Sequence, residues 1–448
     1  MFSGAGSRGI ARYIMANPEI NSRFANNMEI NYIHRSLEEL LRSSAQHYKA
    51  ILVTGARQVG KSTMLKRVFG DCRYVTLDDP FLERQARQDG DLFLSLNPPP
   101  LIIDEVQYAP ELFRHLKVHC DASDAHGLFY LSGSQNFLLM KGVSETLAGR
   151  IAIVELGGLS LREIQGDAFG GPFMPTLEYV RERSRSARAP RNIWEIIHRG
   201  SYPELQRCDL DWSSYYGNYV KTYLERDVRA LSAVQDLDSF QRFLVAAAAR
   251  TGSVLNYSSL ANEIGKDATT IKNWISILEA SGIIYLLEPY ANSALKRAVK
   301  TPKLYFRDTG LVCYLTRWLS AETLAYGAMS GHVFETFVIS EILKSYANSG
   351  LDFRHFVSYY RGRDKQKQRL QGEMVEMESE IDFIIERDGV VYPIEIKQNS
   401  NVLATATAAF PVLDKIPDRK RGMGAVICNC PQPGRLRENV LLLPVWYI

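Results

Sequence analysis

Gly55-Ala56-Arg57-Gln58-Val59-Gly60-Lys61-Ser62-Thr63 fits the pattern G-x-x-x-x-G-K-[ST] at every fixed position. The apolar run Ile51-Leu52-Val53 precedes it, and Met64, Leu65, Val68 and Phe69 follow at helical spacing. Strand, glycine loop and helix form the context that such a loop requires. Glycines at 55 and 60 permit tight backbone geometry and let N–H groups approach phosphate oxygens. The helix N-terminus adds partial positive charge at the same place. The stretch Gly55 to Thr63 is therefore expected to hold ATP, with Lys61 on the β- and γ-phosphates and Ser62 on Mg²⁺.

A second segment supports the first. Leu101-Ile102-Ile103-Asp104-Glu105 is an apolar run that ends in two carboxylates. Such runs read as buried parallel strands. Asp104 is placed to hold the Mg²⁺ shell, and Glu105 to activate the attacking water. The adjacent glutamate points to hydrolysis rather than nucleotide binding alone. A further strand, 128–132, runs into Ser132-Gly133-Ser134-Gln135, where Ser134 and Gln135 are candidate sensors of the γ-phosphate. Arg150, in Leu147-Ala148-Gly149-Arg150, is either an arginine finger offered to a neighbouring copy or a structural arginine.

The chain has 448 residues, 46% hydrophobic and 23% charged, which suits a globular protein of two or three domains. No apolar run is long enough to cross a bilayer, and the N-terminus lacks the pattern of a signal peptide. The six cysteines are scattered, as expected for a reduced, cytoplasmic setting. Cys428 and Cys430 form a C-x-C pair that fits a strand end better than a metal site. A net charge of +3 is too small to argue for nucleic acid by itself.

Residues 1–27 read as a loosely attached segment, and 28–49 as a helical pattern leading into the first strand. Apolar strands at 51–54, 73–77, 101–104, 128–132 and 151–155 alternate with helical stretches, which implies a parallel α/β sheet. The prolines 98–100 must lie before the Asp104 strand, since proline does not fit inside a central one. Residues 165–192, with a basic stretch from Arg181 to Arg191, read as an exposed insertion or linker.

From 254 to 287 the pattern is helix, turn, helix and strand, the order of a winged helix. Its second helix offers Thr269, Thr270, Lys272 and Asn273 to a DNA groove or to a protein. Further on, Asp382 and the E-x-K pair Glu395 and Lys397 lie in alternating strands joined through a turn at Asp388-Gly389. Alternate residues share a strand face. Two carboxylates from adjacent strands can hold a divalent metal, and the lysine can activate water. Glu335, on a helix, is a candidate third oxygen ligand. This constellation is that of restriction-endonuclease-like folds, which either cleave DNA or serve only for binding and packing.

These segments together resemble the bacterial and archaeal predicted AAA-type ATPases that carry a C-terminal domain of unknown function. The likeness extends over Gly200-Ser201-Tyr202-Pro203-Glu204, Tyr223 to Asp227, Phe306-Arg307-Asp308-Thr309-Gly310 and Phe334-Glu335. The resemblance implies an α/β protein with a parallel-sheet P-loop AAA-type ATPase core, then a winged helix and a restriction-endonuclease-like α/β domain. The expected divisions are a P-loop core at 28–165, a linker and helical region at 166–240, a winged helix at 241–320 and the nuclease-like domain at 321–448. The expected partners are DNA, a protein partner and further copies of the chain, with no membrane.

Overall fold

The computed structural model describes residues 32–133, 146–223, 228, 236–290, 300–370 and 373–448. The segment 1–27 lies outside them. Ala50–Thr54 (β1), Arg73–Thr76 (β2), Leu101–Asp104 (β3), Phe129–Ser132 (β4) and Ile151–Glu155 (β5) form one sheet in the order β2-β3-β4-β1-β5. Every pairing in it is parallel. The five strands read from the sequence agree with these to within one residue at either end.

The sheet is buried on both faces, as parallel sheets are. Side chains alternate along β1, so Ile51 and Val53 enter one apolar core while Ala50 and Leu52 enter the other. The covering helices are Glu38–Ala45 (α1), Lys61–Val68 (α2), Pro80–Gln88 (α3), Gly90–Leu96 (α4) and Leu112–Asp121 (α5). Asp79 caps α3 by accepting from the Phe81 and Leu82 amides, and Pro80 occupies its first turn.

Of the helical pattern expected over 28–49, residues 28–31 lie outside the described residues, 32–35 are irregular, and the helix runs over Glu38–Ala45. Arg35 and the Ser36 amide are both held by Glu163, across the P-loop.

Next come Leu161–Ile164 (α6), Leu177–Arg183 (α7), Ile193–Arg199 (α8), Pro203–Arg207 (α9) and Trp212–Tyr223 (α10). Within 165–192, the stretch expected to be an exposed linker, Leu177–Arg183 is helical and the rest is turn or irregular, but its basic run is not wholly solvated. Arg183 is fully buried, donating to Asp167 and to the Trp446 carbonyl. A charge run reads as surface unless its partners, distant in sequence, are known.

Leu237–Ala248 (α11), Ser253–Val254 (β6), Tyr257–Ile264 (α12), Ala268–Ala280 (α13), Ile284–Leu287 (β7) and Lys303–Phe306 (β8) follow. The three strands pair antiparallel in the order β6-β8-β7. Gly265 ends α12 in the left-handed region, and Asp267 caps α13. Thr309–Leu315 (α14) and Ala321–Ala325 (α15) pack back on α8, so helices on both sides of this sheet share one core.

Ser330–Ala347 (α16) leads into a mixed sheet. Its strands are Val357–Leu370 (β9), Glu373–Arg387 (β10), Val390–Lys397 (β11), Lys420–Arg421 (β12), Gly424–Cys428 (β13), Gly434–Arg437 (β14) and Val440–Pro444 (β15). The order is β14-β15-β13-β11-β10-β9, with β12 beside β11. Asp388 and Gly389, both at positive φ, make the expected turn between β10 and β11. Among the described residues no helix is long and apolar enough to cross a membrane.

Leu52 is fully buried under α5 and its neighbours. Leu52→Ala should destabilise the P-loop unit by about 2–5 kcal/mol, read as a lower denaturation midpoint in urea.

Candidate functional site

The strand order places β4 between the P-loop strand and the Asp104 strand. Three strand ends therefore converge. Ser62, at the start of α2, donates to Asp104 Oδ1 at 2.7 Å, and the Ser132 hydroxyl at the end of β4 donates to the same oxygen. Tyr74, on β2, donates to Oδ2 at 2.7 Å. A serine hydroxyl and a buried carboxylate held together at a helix N-terminus are the donor set that suits Mg²⁺ beside nucleotide phosphates.

The loop itself is built for phosphate. Gly55, Gln58 and Gly60 all have positive φ. A Cβ on Gly55 would lie 2.1 Å from the Leu156 carbonyl oxygen, so only glycine fits. The Lys61 ammonium donates to the Gly55 and Ala56 carbonyls, at 3.1 and 2.8 Å, which keeps it over the loop. Arg57 and Val59 complete the loop, and Thr63 lies in the first turn of α2. Glu105 also sits in the left-handed region, unusual for a non-glycine, and accepts from the Gln107 amide. The same turn brings its backbone N–H to 3.4 Å from the Ser132 hydroxyl.

Ser134 and Gln135, the sensors expected from sequence, lie outside the described residues. Ser132 and Tyr74 were missed. Ser132 stands two residues earlier, at the last position of β4. Nothing local in the sequence marks Tyr74, because its role depends on β2 lying beside β3.

Arg150 is at the opposite end of the sheet from the P-loop: its carbonyl accepts from the Lys49 and Ala50 amides, where β1 begins. Its guanidinium makes a two-pronged pair with Asp121. A five-residue strand spans about 16 Å, so Arg150 does not serve its own P-loop.

The P-loop's outer face is covered by other parts of the chain. Arg35 donates to the carbonyls of Val59 and Gly157, each at 2.8 Å. Tyr215 donates to Gln58 at 2.8 Å. A Cβ on Gly282 would lie 3.3 Å from the Ala56 nitrogen, so the α13–β7 turn rests on the loop. Glu155, paired in register with Thr54, holds Arg307 and Arg354. Burial pushes the Glu155 carboxyl up, but the two guanidiniums outweigh it and hold it below the ordinary carboxylate range.

The C-terminal constellation also comes together. Lys397 donates to Glu395 at 2.6 Å and lies 3.8 Å from Asp382, while Asp382 accepts from the Ile396 amide at 2.9 Å. Tyr305 donates to Glu335 at 2.5 Å. Burial, then the nearby Asp382, pushes Glu335 up to about 7 and Glu395 up to about 9. Lys303, absent from the sequence reading, enters the same cluster from β8. Among the described residues no group of three or more His, Cys, Asp or Glu side chains is disposed to hold a metal ion, and here two lysines, Lys303 and Lys397, stand among the carboxylates.

Comparison with known proteins agrees with the first site. Residues 47–165 match the AAA domain family, 190–322 a domain of unknown function (DUF8612) and 374–448 another (DUF4143). The chain thus carries an AAA-type P-loop ATPase domain and a C-terminal DUF4143 domain. The uncharacterized protein Rv2008c of Mycobacterium tuberculosis is 26% identical over 86% of this chain and 78% of its own length. Uncharacterized protein Mb2031c of Mycobacterium bovis matches to the same extent. Among solved structures, the Walker-type ATPase paby2304 of Pyrococcus abyssi covers 63% of this chain and 96% of its own, at 16% identity and a TM-score of 0.39. The RuvB Holliday junction branch migration motor of Thermotoga maritima covers 59% and 88%, at 15% identity and a TM-score of 0.24.

Lys61→Ala should abolish ATP hydrolysis. Ser132→Ala should lower the turnover number by about a hundredfold while leaving nucleotide affinity nearly unchanged, as measured by phosphate release and by fluorescent-nucleotide titration.

Proposed function

We propose that this chain is a Mg²⁺-dependent ATPase that couples ATP turnover to DNA held by its C-terminal units. Gly55 to Thr63 would hold ATP, and Ser62 with Asp104 would hold Mg²⁺, which supplies charge neutralisation at the phosphates. Lys61 supplies a second positive charge over the loop. Glu105 accepts the proton of the attacking water, and Ser132, tied to Asp104, reports the γ-phosphate to β4. Arg150 completes the site of a neighbouring copy, which makes the working form an oligomer.

The observation that carries the coupling is the reach of β8. At its C-terminal end Arg307 grips Glu155 at the tip of the P-loop sheet, while Lys303 and Tyr305 enter the C-terminal carboxylate cluster. The reading of 241–320 as a winged-helix domain is supported by the helix–strand–helix–helix–strand–strand order of the elements from α11 to β8. On α13, Thr269, Lys272 and Asn273 are exposed toward a partner, whereas Thr270 is engaged in the cap with Asp267. A mixed sheet carrying Asp382, Glu395 and Lys397 supports the nuclease-like reading of 321–448. No cleavage step is assigned to that cluster.

One observation favours a second reading, a nucleotide-controlled switch that binds a protein: the carboxylates of the cluster already surround a lysine. ATP hydrolysis measured with and without double- and single-stranded DNA separates the two. Stimulation of about tenfold that is lost in Arg307→Ala, with basal hydrolysis retained, is the expected result. Hydrolysis indifferent to DNA supports the switch.

A further inference from the structure

We infer that Lys303 is the resident cation of the C-terminal carboxylate cluster, standing where a nuclease-like site would take a divalent ion, so that the cluster is closed to metal while β8 stays in place. This deepens the reading of the C-terminal unit given above and rests on it, but not on DNA-stimulated hydrolysis.

The lysine belongs to the three-stranded sheet, not to the strands that carry the acids. Its ammonium lies 2.6 Å from Glu380, 3.5 Å from Glu335 and 3.9 Å from Asp382. Its side chain is only 3% exposed. A lysine stem is flexible and its ammonium strongly hydrated, so it is buried this completely only where opposite charge compensates it. Burial alone would push the ammonium down; Glu335, Asp382 and Glu380 outweigh that and hold it above the ordinary lysine value. The Tyr359 ring, 5.4 Å away, gives the cation a further face.

The remaining groups are arranged around this lysine rather than around a shared point for a metal. Tyr305, from the same strand, donates to Glu335. Arg361 Nε is 3.7 Å from Glu380. On the far side Lys397 engages Glu395 and Asp382. One acceptor is left over: Glu395 Oε2 is buried and makes no hydrogen bond. An orphaned buried carboxylate oxygen is costly. A divalent ion prefers several oxygen ligands at once, so a tethered ammonium shared among three carboxylates competes with it directly.

The test is Mn²⁺ binding to the full chain, with Lys61→Ala present to silence the phosphate site. Isothermal titration should show no Mn²⁺ site that Asp382→Asn removes. Adding Lys303→Met should create one such site, binding at least about tenfold tighter than any in the parent, and Mn²⁺ should then raise the melting temperature of that variant. Lys303→Arg, which keeps the charge, should behave as the parent. An Asp382-dependent Mn²⁺ site in the parent as tight as in Lys303→Met overturns the inference, as does a folded Lys303→Met variant that gains none. If Lys303→Met does not fold, the parent with and without Asp382→Asn decides alone: an Asp382-dependent site refutes, and its absence supports. DNA-stimulated hydrolysis is read in a separate assay, so failure of the coupling proposal is distinguishable from failure here.

Discussion

The segment from Glu155 to Leu161, where the chain leaves the last strand of the P-loop sheet, holds the molecule together. Glu155 pairs with Thr54 in register and receives Arg307 and Arg354 from the second half of the chain. Leu156 abuts Gly55, and Gly157 accepts from Arg35. The Leu159 carbonyl accepts from Lys344, and the Leu161 amide donates to Glu341. Removing one partner of a buried ion pair costs about 3–5 kcal/mol, a large share of the ~5–15 kcal/mol that stabilises a typical domain. A loop bound at so many points cannot shift at the phosphate side without displacing the helices and strands that grip it.

That constraint explains why one apolar core runs from the P-loop sheet through α8, α14 and α16 into the C-terminal sheet. The P-loop and the C-terminal cluster are accordingly joined through one continuous apolar core. Each is organised around a buried carboxylate with hydroxyl or cationic partners. At Asp104 the partners are neutral hydroxyls, Ser62, Ser132 and Tyr74, which a divalent ion can share or displace. At Glu335, Glu380 and Asp382 the partner is an ammonium, which a divalent ion must oppose. The same residue type thus serves different chemistry according to what stands beside it.

Much of this was legible in the sequence where the signal is local. Gly55 to Thr63, the apolar run ending at Asp104 and the turn at Asp388-Gly389 depend on neighbouring residues alone, and each stands where the spacing placed it. Glu395 and Lys397 were readable because alternation fixes a shared strand face. What escaped depends on contacts distant in sequence. Tyr74 matters only because β2 lies beside β3, and Ser132 only because β4 is inserted next to β1. Arg183 looked solvated because its partners, Asp167 and the Trp446 carbonyl, come from another helix connection and from the chain's end. Lys303 gave no signal at all, since its three acids lie on α16 and β10.

The central claim is that the P-loop is mechanically joined to the C-terminal cluster through Glu155, Arg307 and β8. Hydrogen–deuterium exchange of a Glu105→Gln variant, with and without ATP and Mg²⁺, tests it most directly. The account predicts changed protection at 155–161 and at 303–307 together with the loop at 55–63. A change confined to 55–63 and the start of α2 would contradict it.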